Sequence, residues 1–239
     1  MGEDELIFTP EDFIQYEARR RGVDREYFQI PSRLILLYQK SAFKYTRQVL
    51  KGKTIDWLYG KSRPFCIGVV DGKEIGSFRV WVGAPAAAAM LEELIACGAK
   101  SVFEVGMAGG LQSLSKPGDI MVVTEAIRDE GTSNHYFQPG VRIEASPKLR
   151  DLLIQRLNIK GIKHKVGPVW TTDGVFRETK SKLLKFRSQG ALAVNMETSA
   201  LFAVAKYHKI EIASAQVISD VLSEEGWQPA FRHKKFLVV

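Results

Sequence analysis

Short apolar runs alternate with helical stretches from residue 34 to residue 219, and this alternation restricts the fold more than any other feature of the chain. Leu34–Tyr38, Phe65–Val70, Ser77–Val82, Ser101–Val105, Ile120–Val123, His164–Val169, Ala191–Val194 and Ile212–Ser219 read as strands. Residues 41–50, Ala84–Cys97, Pro147–Leu157, Ser181–Ser188 and Thr198–Tyr207 read as helices. Thr9-Pro10-Glu11, a cap residue followed by proline and acid, starts a further helix over residues 10–29. Asp71-Gly72 suits a hairpin turn, and Gly98 a helix stop. The pattern predicts an α/β protein, with helices sandwiching a mixed central sheet. Ligands in such folds lie outside the carboxyl ends of the strands. No internal repeat, low-complexity tract or long linker divides the chain. Residues 1–239 are therefore expected to form one domain, with residues 1–30 as an N-terminal helical extension.

Two acids stand where such a ligand would lie. Glu197 follows Val194-Asn195-Met196 at a strand-to-helix junction, and Asp220 ends the run Ile212–Ser219. Each also has a purely local reading. Glu197 would favour the N-terminus of its own helix, and Asp220 would cap a turn. Gly106-Met107-Ala108-Gly109-Gly110 places three glycines in five residues after a strand. Such a loop permits positive φ and close backbone approach, and its N–H groups can line a pocket or hold an anion. It lacks the lysine of a nucleotide P-loop and does not match a dinucleotide fingerprint.

Composition narrows the class. With 45% hydrophobic and 26% charged residues, the chain can bury one sizeable core. No apolar run approaches the roughly 20 residues needed to span a bilayer. The acidic start Met1-Gly-Glu-Asp-Glu5 carries no signal-peptide pattern, and Leu6 spoils the myristoylation motif at Gly2. Cys66 and Cys97 are isolated and lack metal spacing, so buried thiols of a cytoplasmic protein are expected, with no metal. The net charge of +7 comes from scattered lysines and arginines. The clusters Arg19–Arg21 and Arg232–Lys235 read as solvated faces, so neither nucleic acid nor membrane is an expected partner.

Taken in order, the motifs resemble those of the nucleoside phosphorylase and nucleosidase superfamily, which includes purine nucleoside and uridine phosphorylases. The resemblance rests on Val194-Asn-Met-Glu-Thr-Ser-Ala-Leu-Phe202, Gly106–Gly110 followed by Lys116-Pro-Gly-Asp-Ile120, Gly83-Ala-Pro85 and Ser219-Asp220. Their order and spacing agree from about residue 34 to residue 222. It implies a three-layer α/β/α sandwich and reversible phosphorolysis of a purine ribonucleoside, giving free base and ribose 1-phosphate. It implies inorganic phosphate as co-substrate, no cofactor, a role in nucleoside salvage, and a homo-oligomer, either a dimer or a hexamer built as a ring of dimers. Ala108 and Gly109 would lie beside the base and Met196 under the sugar. Glu197 would accept hydrogen bonds from both ribose hydroxyls and stabilise the oxocarbenium character of the transition state. Asn195 stands where many relatives have Glu. Ser219 and Asp220 would lie near the purine, with Asp220 protonating N7 as the base departs. Phe176 is the candidate for stacking on the base, with Val175 as the alternative. The Asp129–Tyr136 segment would border the pocket or an oligomer contact, with His135 an exposed loop histidine.

The chain departs from the family pattern where phosphate should bind. Phosphorylases of the family carry Pro-Gly-Asp-Pro-x-Arg after the first strand, where this chain has Leu37-Tyr-Gln-Lys-Ser-Ala-Phe-Lys44. Their arginine before the glycine segment is replaced by Glu104, and their Ser or Thr after its first glycine by Met107. Two like charges 4 Å apart repel by about 4 kcal/mol at an effective dielectric near 20. A phosphate seat would have to be rebuilt from Gly106, Met107, Lys44 and Lys61, with Lys40 and Arg47 as further cations. Lys61 lies near a position that relatives lend across a dimer interface. A phosphate-independent nucleosidase needs a carboxylate base near the first strand, yet no acid stands between Ile30 and Thr54. Glu104 is then the candidate to polarise water. Phosphorolysis, hydrolysis and binding without catalysis all remain open from the sequence.

Overall fold

Strands without polar alternation must be covered on both faces, and β1 (Arg33–Leu37) shows how this chain does it. Leu34 and Leu36 enter a core shared with α1 (Pro10–Arg21), α3 (Ala84–Ala96) and α6 (Thr198–Tyr207). Ile35 and Leu37 face the other way, against Phe43 of α2 (Lys40–Val49) and Cys66. The result is the expected three-layer sandwich around a mixed sheet. The structure, a computed structural model, describes residues 6–111 and 115–230. The Arg232–Lys235 cluster and Gly2 lie outside the described residues.

The remaining elements are β2 (Lys53–Ile55), β3 (Phe65–Val70), β4 (Lys73–Arg79), β5 (Ser101–Gly110), β6 (Ile120–Asp129), β7 (Ile143–Glu144), α4 (Pro147–Ile159), β8 (His164–Thr172), α5 (Lys180–Ser188), β9 (Ala193–Asn195), β10 (Glu211–Ser223) and β11 (Gly226–Pro229). β1 runs parallel between β4 and β5. β10 runs parallel to β5 and antiparallel to β6 and β11. β8 lies parallel to both β6 and β9. β9 then pairs antiparallel with the end of β5, at Gly109 and Gly110. The strands β5, β10, β6, β8 and β9 thereby close into a ring inside the sheet.

The helix foreseen over residues 10–29 stops at Arg21. Gly22, at φ 65°, donates its N–H to the carbonyls of Ala18 and Arg19 and ends the helix, and a separate 3-10 turn covers Arg25–Phe28. Thr9 caps the start as foreseen, in a reciprocal box with Asp12. Cys66 and Cys97 are buried free thiols.

The larger correction concerns Gly106–Gly110. This segment is no loop: it is the second half of β5, extended and laddered to β10. None of Gly106, Gly109 and Gly110 has positive φ. These glycines answer close approach. A Cβ on Gly106 would lie 2.5 Å from the Gln216 side chain, one on Gly109 2.5 Å from Leu222, and one on Gly110 2.7 Å from Cβ of Ser115. β10 likewise runs past Asp220 to Ser223. Its register against β5 shifts between Ile218 and Asp220, so Ser219 is the extra residue of a bulge. Regular strand alternation would send Ser219 and Asp220 to opposite faces, and the bulge lets both line one cleft.

Gly110→Ala tests the close-packing account. The added methyl meets a carbon fixed to the backbone of residue 115 and the Ile218 side chain at 3.1 Å. Overpacking should lower stability by about 1–3 kcal/mol in urea denaturation.

Candidate functional site

A cleft of about 270 Å³ opens at the carboxyl ends of the parallel strands. That is close to the lower bound, roughly 300 Å³, for small-molecule sites. Tyr38 and Gln39 enter it from the end of β1, and Met107, Ala108 and Gly109 from β5. Val194 and Asn195 come from β9, with Met196 and Glu197 immediately after it. Val175 and Glu178 follow β8, while Ser219, Asp220 and Leu222 belong to β10.

Glu197 does not serve its own helix. Its side chain makes no capping bond there. Instead Oε1 accepts the Gly83 N–H at 2.8 Å, at the head of α3, and Oε2 accepts the Met196 N–H at 3.1 Å. Gly83 holds φ 101°, a conformation that only glycine adopts cheaply. Burial pushes the Glu197 carboxyl up to about 7, the two N–H donors resist, and nearby Glu104 adds to the rise.

Glu104 lies under the cleft, fully buried. The Tyr38 hydroxyl donates to Oε1 at 2.8 Å and the Thr198 hydroxyl to Oε2 at 2.8 Å. Asn195 Nδ2 donates to that same threonine oxygen, and the Thr171 hydroxyl donates to Asn195 Oδ1 at 2.9 Å. Burial drives Glu104 toward its neutral form against these donors. Glu104 is therefore a tied core group and does not line the cleft.

A second pair of acids stands elsewhere on the wall. Asp220 caps no turn. Its Oδ2 accepts the Trp227 indole N–H at 2.8 Å, and its Oδ1 accepts the Ser219 hydroxyl at 2.6 Å. Glu178 lies beside it. Burial first, then the Asp220 charge, pushes Glu178 up to about 7, with Lys182 opposing.

The structure thus brings Ala108, Gly109, Asn195, Met196, Glu197, Ser219 and Asp220 to one cleft, with Met107 on its edge. It does not bring Phe176, which is 96% exposed. The 3-10 turn Val175–Arg177 turns Val175 inward instead. Residues three apart eclipse in such a turn, so Val175 and Glu178 share a side. Lys40, Lys44, Arg47 and Lys61 are exposed, and none lines the cleft. α2 turns its polar face to solvent, and Lys61 sits on a separate 3-10 turn, Gly60–Ser62. Gly106 is buried against Gln216 beneath the cleft. Among the described residues the lining carries three carboxyls and no Lys, Arg or His.

Sequence reasoning missed Trp227 and the role of Glu178. The first depends on the hairpin between β10 and β11, signalled only by Gly226 after Glu224-Glu225. The second was legible in the spacing of Val175 and Glu178, but only to a reader who knew that a 3-10 turn joined them.

The sequence profile of the phosphorylase superfamily matches residues 39–236. The chain belongs to the nucleoside phosphorylase superfamily. Members similar to it include DeoD-type purine nucleoside phosphorylases. That of an Exiguobacterium species is 29% identical over 160 residues, 65% of this chain and 66% of the relative. That of Bacillus cereus is 30% identical over 157 residues, 64% and 66%. An uncharacterized protein, R802, of Acanthamoeba polyphaga mimivirus is 26% identical over 144 residues, 60% of this chain and 56% of the relative. The matched regions thus span just under two thirds of the bacterial relatives' length and less of the viral one. Among solved structures, uridine phosphorylase from Vibrio fischeri ES114, complexed with 6-hydroxy-1-naphthoic acid, superposes with a TM-score of 0.75 at 27% identity, covering 82% of this chain and 80% of that one. Purine and uridine enzymes both stand among these nucleoside phosphorylases, so kinship does not separate the two base classes.

Glu197 also ties stability to pH. Its folded pKa of about 7 lies above the ordinary 4.5. Its stabilising share is therefore full below about 4.5 and is lost as the pH rises through 7. The loss amounts to about 3 kcal/mol at 1.36 kcal/mol per unit. Urea unfolding at pH 5 and pH 8 should show a smaller fall for Glu197→Gln than for the wild type. Equal falls would mean that Glu197 does not titrate as described.

Proposed function

We propose that this chain cleaves the N-glycosidic bond of a purine ribonucleoside and passes the ribosyl group to inorganic phosphate, giving free base and ribose 1-phosphate. The observation that carries this reading is the convergence of Met196, Glu197 and Asp220 on one cleft at the strand ends. Kinship to nucleoside phosphorylases supports the reaction class.

The chemistry follows from the wall of the cleft. Breaking a glycosidic bond leaves positive charge on the sugar. The Glu197 carboxylate, fixed by two backbone N–H groups, stabilises that charge without having to reorganise. The same oxygens accept hydrogen bonds from vicinal hydroxyls, and Met196 supplies an apolar floor. Acid at the other pair, Asp220 and Glu178, suits a base that must take up a proton to leave. Purine nitrogen accepts one readily, which favours a purine. The reaction needs no cofactor, and the cleft is read as completed in a homo-oligomer of a cytoplasmic salvage enzyme.

One observation favours water as the acceptor instead. Three carboxyls surround the cleft without a cation among its described lining residues, a poor seat for a phosphate dianion. Incubation with inosine and adenosine, with and without phosphate, decides between the two. Phosphate-dependent base release supports phosphorolysis, and phosphate-independent release supports hydrolysis. Saturable binding with no release under either condition would leave a nucleoside-binding protein and overturn both. Glu197→Ala should lower base release by a factor on the order of 10²–10³, with an unchanged far-ultraviolet circular dichroism spectrum. Unaltered turnover would remove Glu197 from the reaction.

A further inference from the structure

β10 and β11 form a hairpin beside the cleft, and their register decides which side chains face it. Leu222 lies directly opposite Trp227, and Asp220 opposite Pro229. Residues directly opposite in an antiparallel pair share a face, and residues two apart on one strand return to it. Asp220, Leu222 and Trp227 therefore stand on one face, from which Asp220 and Leu222 line the cleft. Trp227 is the diagonal neighbour of Asp220, at a separation that a long aromatic side chain can bridge. Its indole Nε1 donates to Asp220 Oδ2 at 2.8 Å. Trp227 is 59% exposed, which separates this contact from the packing of the core.

The other oxygen of Asp220 is held independently. Ser219, the extra residue of the bulge, donates its hydroxyl to Oδ1 at 2.6 Å. The Ala108 carbonyl is farther from that hydroxyl, at 3.3 Å. The last torsion of an aspartate is broad and roughly two-fold, so an unheld carboxylate swings. One donor on each oxygen fixes the plane of the group. A carboxylate offers about four lone-pair sites, so two donors leave others for a ligand in the cleft. The indole suits this task because it can only donate. Phenylalanine in its place would keep the aromatic ring and the strand preference, and lose the donor.

We propose that Trp227 is a positioning residue, whose indole N–H sets the orientation of the Asp220 carboxyl group against the base of the bound nucleoside. This assignment rests on the nucleoside-cleaving reading above. It also gives the hairpin a role. Among the described residues β11 sends no side chain into the cleft lining. Trp227 acts on the reaction through Asp220, which does line it. The clamp of Ser219 and Trp227 orients Asp220 when the chain folds, so this group has no reorganisation left to make in the transition state.

The test is a double-mutant cycle on inosine cleavage. Trp227→Phe should lower kcat by a factor on the order of 10–10², with KM little changed and an unaltered melting temperature. In an Asp220→Asn background the same substitution should change kcat by less than about twofold, because the group it positions is already altered. A second readout is independent of turnover. The chain has four tryptophans. In a proton–nitrogen correlation spectrum of protein labelled at tryptophan, the indole signal of Trp227 is the one missing from Trp227→Phe. It should shift more than the other three in Asp220→Asn, and again when hypoxanthine is added to the wild type. Equal losses of kcat in the two backgrounds, or an undiminished kcat in Trp227→Phe, would overturn the assignment while leaving the nucleoside reading intact. A Trp227 signal that stays in place in Asp220→Asn would do the same. A wild-type protein that releases no base from inosine would overturn the nucleoside reading and the assignment with it.

Discussion

The hydrogen bonds that converge on the buried Glu104 carboxyl tie the floor of the cleft together. Tyr38 reaches it from the end of β1 and Thr198 from the first turn of α6, and through Thr198 the chain continues to Asn195 on β9 and Thr171 on β8. β1, β5, β8, β9 and α6 therefore meet at one polar cluster inside an apolar core. A buried donor or acceptor left unpaired costs about 1–3 kcal/mol. Moving any one element strands a partner in another, so the strand ends that present Met107, Asn195 and Met196 shift together or not at all. The backbone around Glu197 is held in the same way, because its carboxylate bridges the start of α3 to Met196.

The cluster also gives a physical account of the acid at position 104. A carboxyl at position 104 can be satisfied by hydroxyl donors alone, and burial moves it toward its neutral form. Here the neighbouring acid is Glu197 itself. Among the described residues the cleft is lined by three carboxyls and no cation.

Much of this was legible in the chain. The alternation of apolar runs and helices predicted the layered α/β architecture, because period and length are local properties that burial on both faces enforces. The capping signals at Thr9 and Gly98 worked for the same reason. The candidate site residues were legible too: Glu197, Ser219 and Asp220 do share a cleft. What failed were inferences about neighbours across the sheet. The glycines of β5 looked like a loop because glycine is a loop residue by itself. They are in fact demanded by Gln216, Leu222 and Ser115, which approach from elsewhere. Phe176 looked like the stacking aromatic because size and apolarity say nothing of direction, and a short 3-10 turn sends it to solvent while Val175 faces in.

The amino-acid order by itself determined the succession of strands and helices, the junction that carries Met196 and Glu197, and the kinship those motifs express, since all of these depend on residues close in sequence. The surroundings of the acids were decided only in three dimensions. Trp227 folds back across a hairpin to donate to Asp220, and burial, followed by the Asp220 charge, pushes the Glu178 carboxyl up to about 7. Those are effects of distance and desolvation between segments, and no local pattern encodes either one.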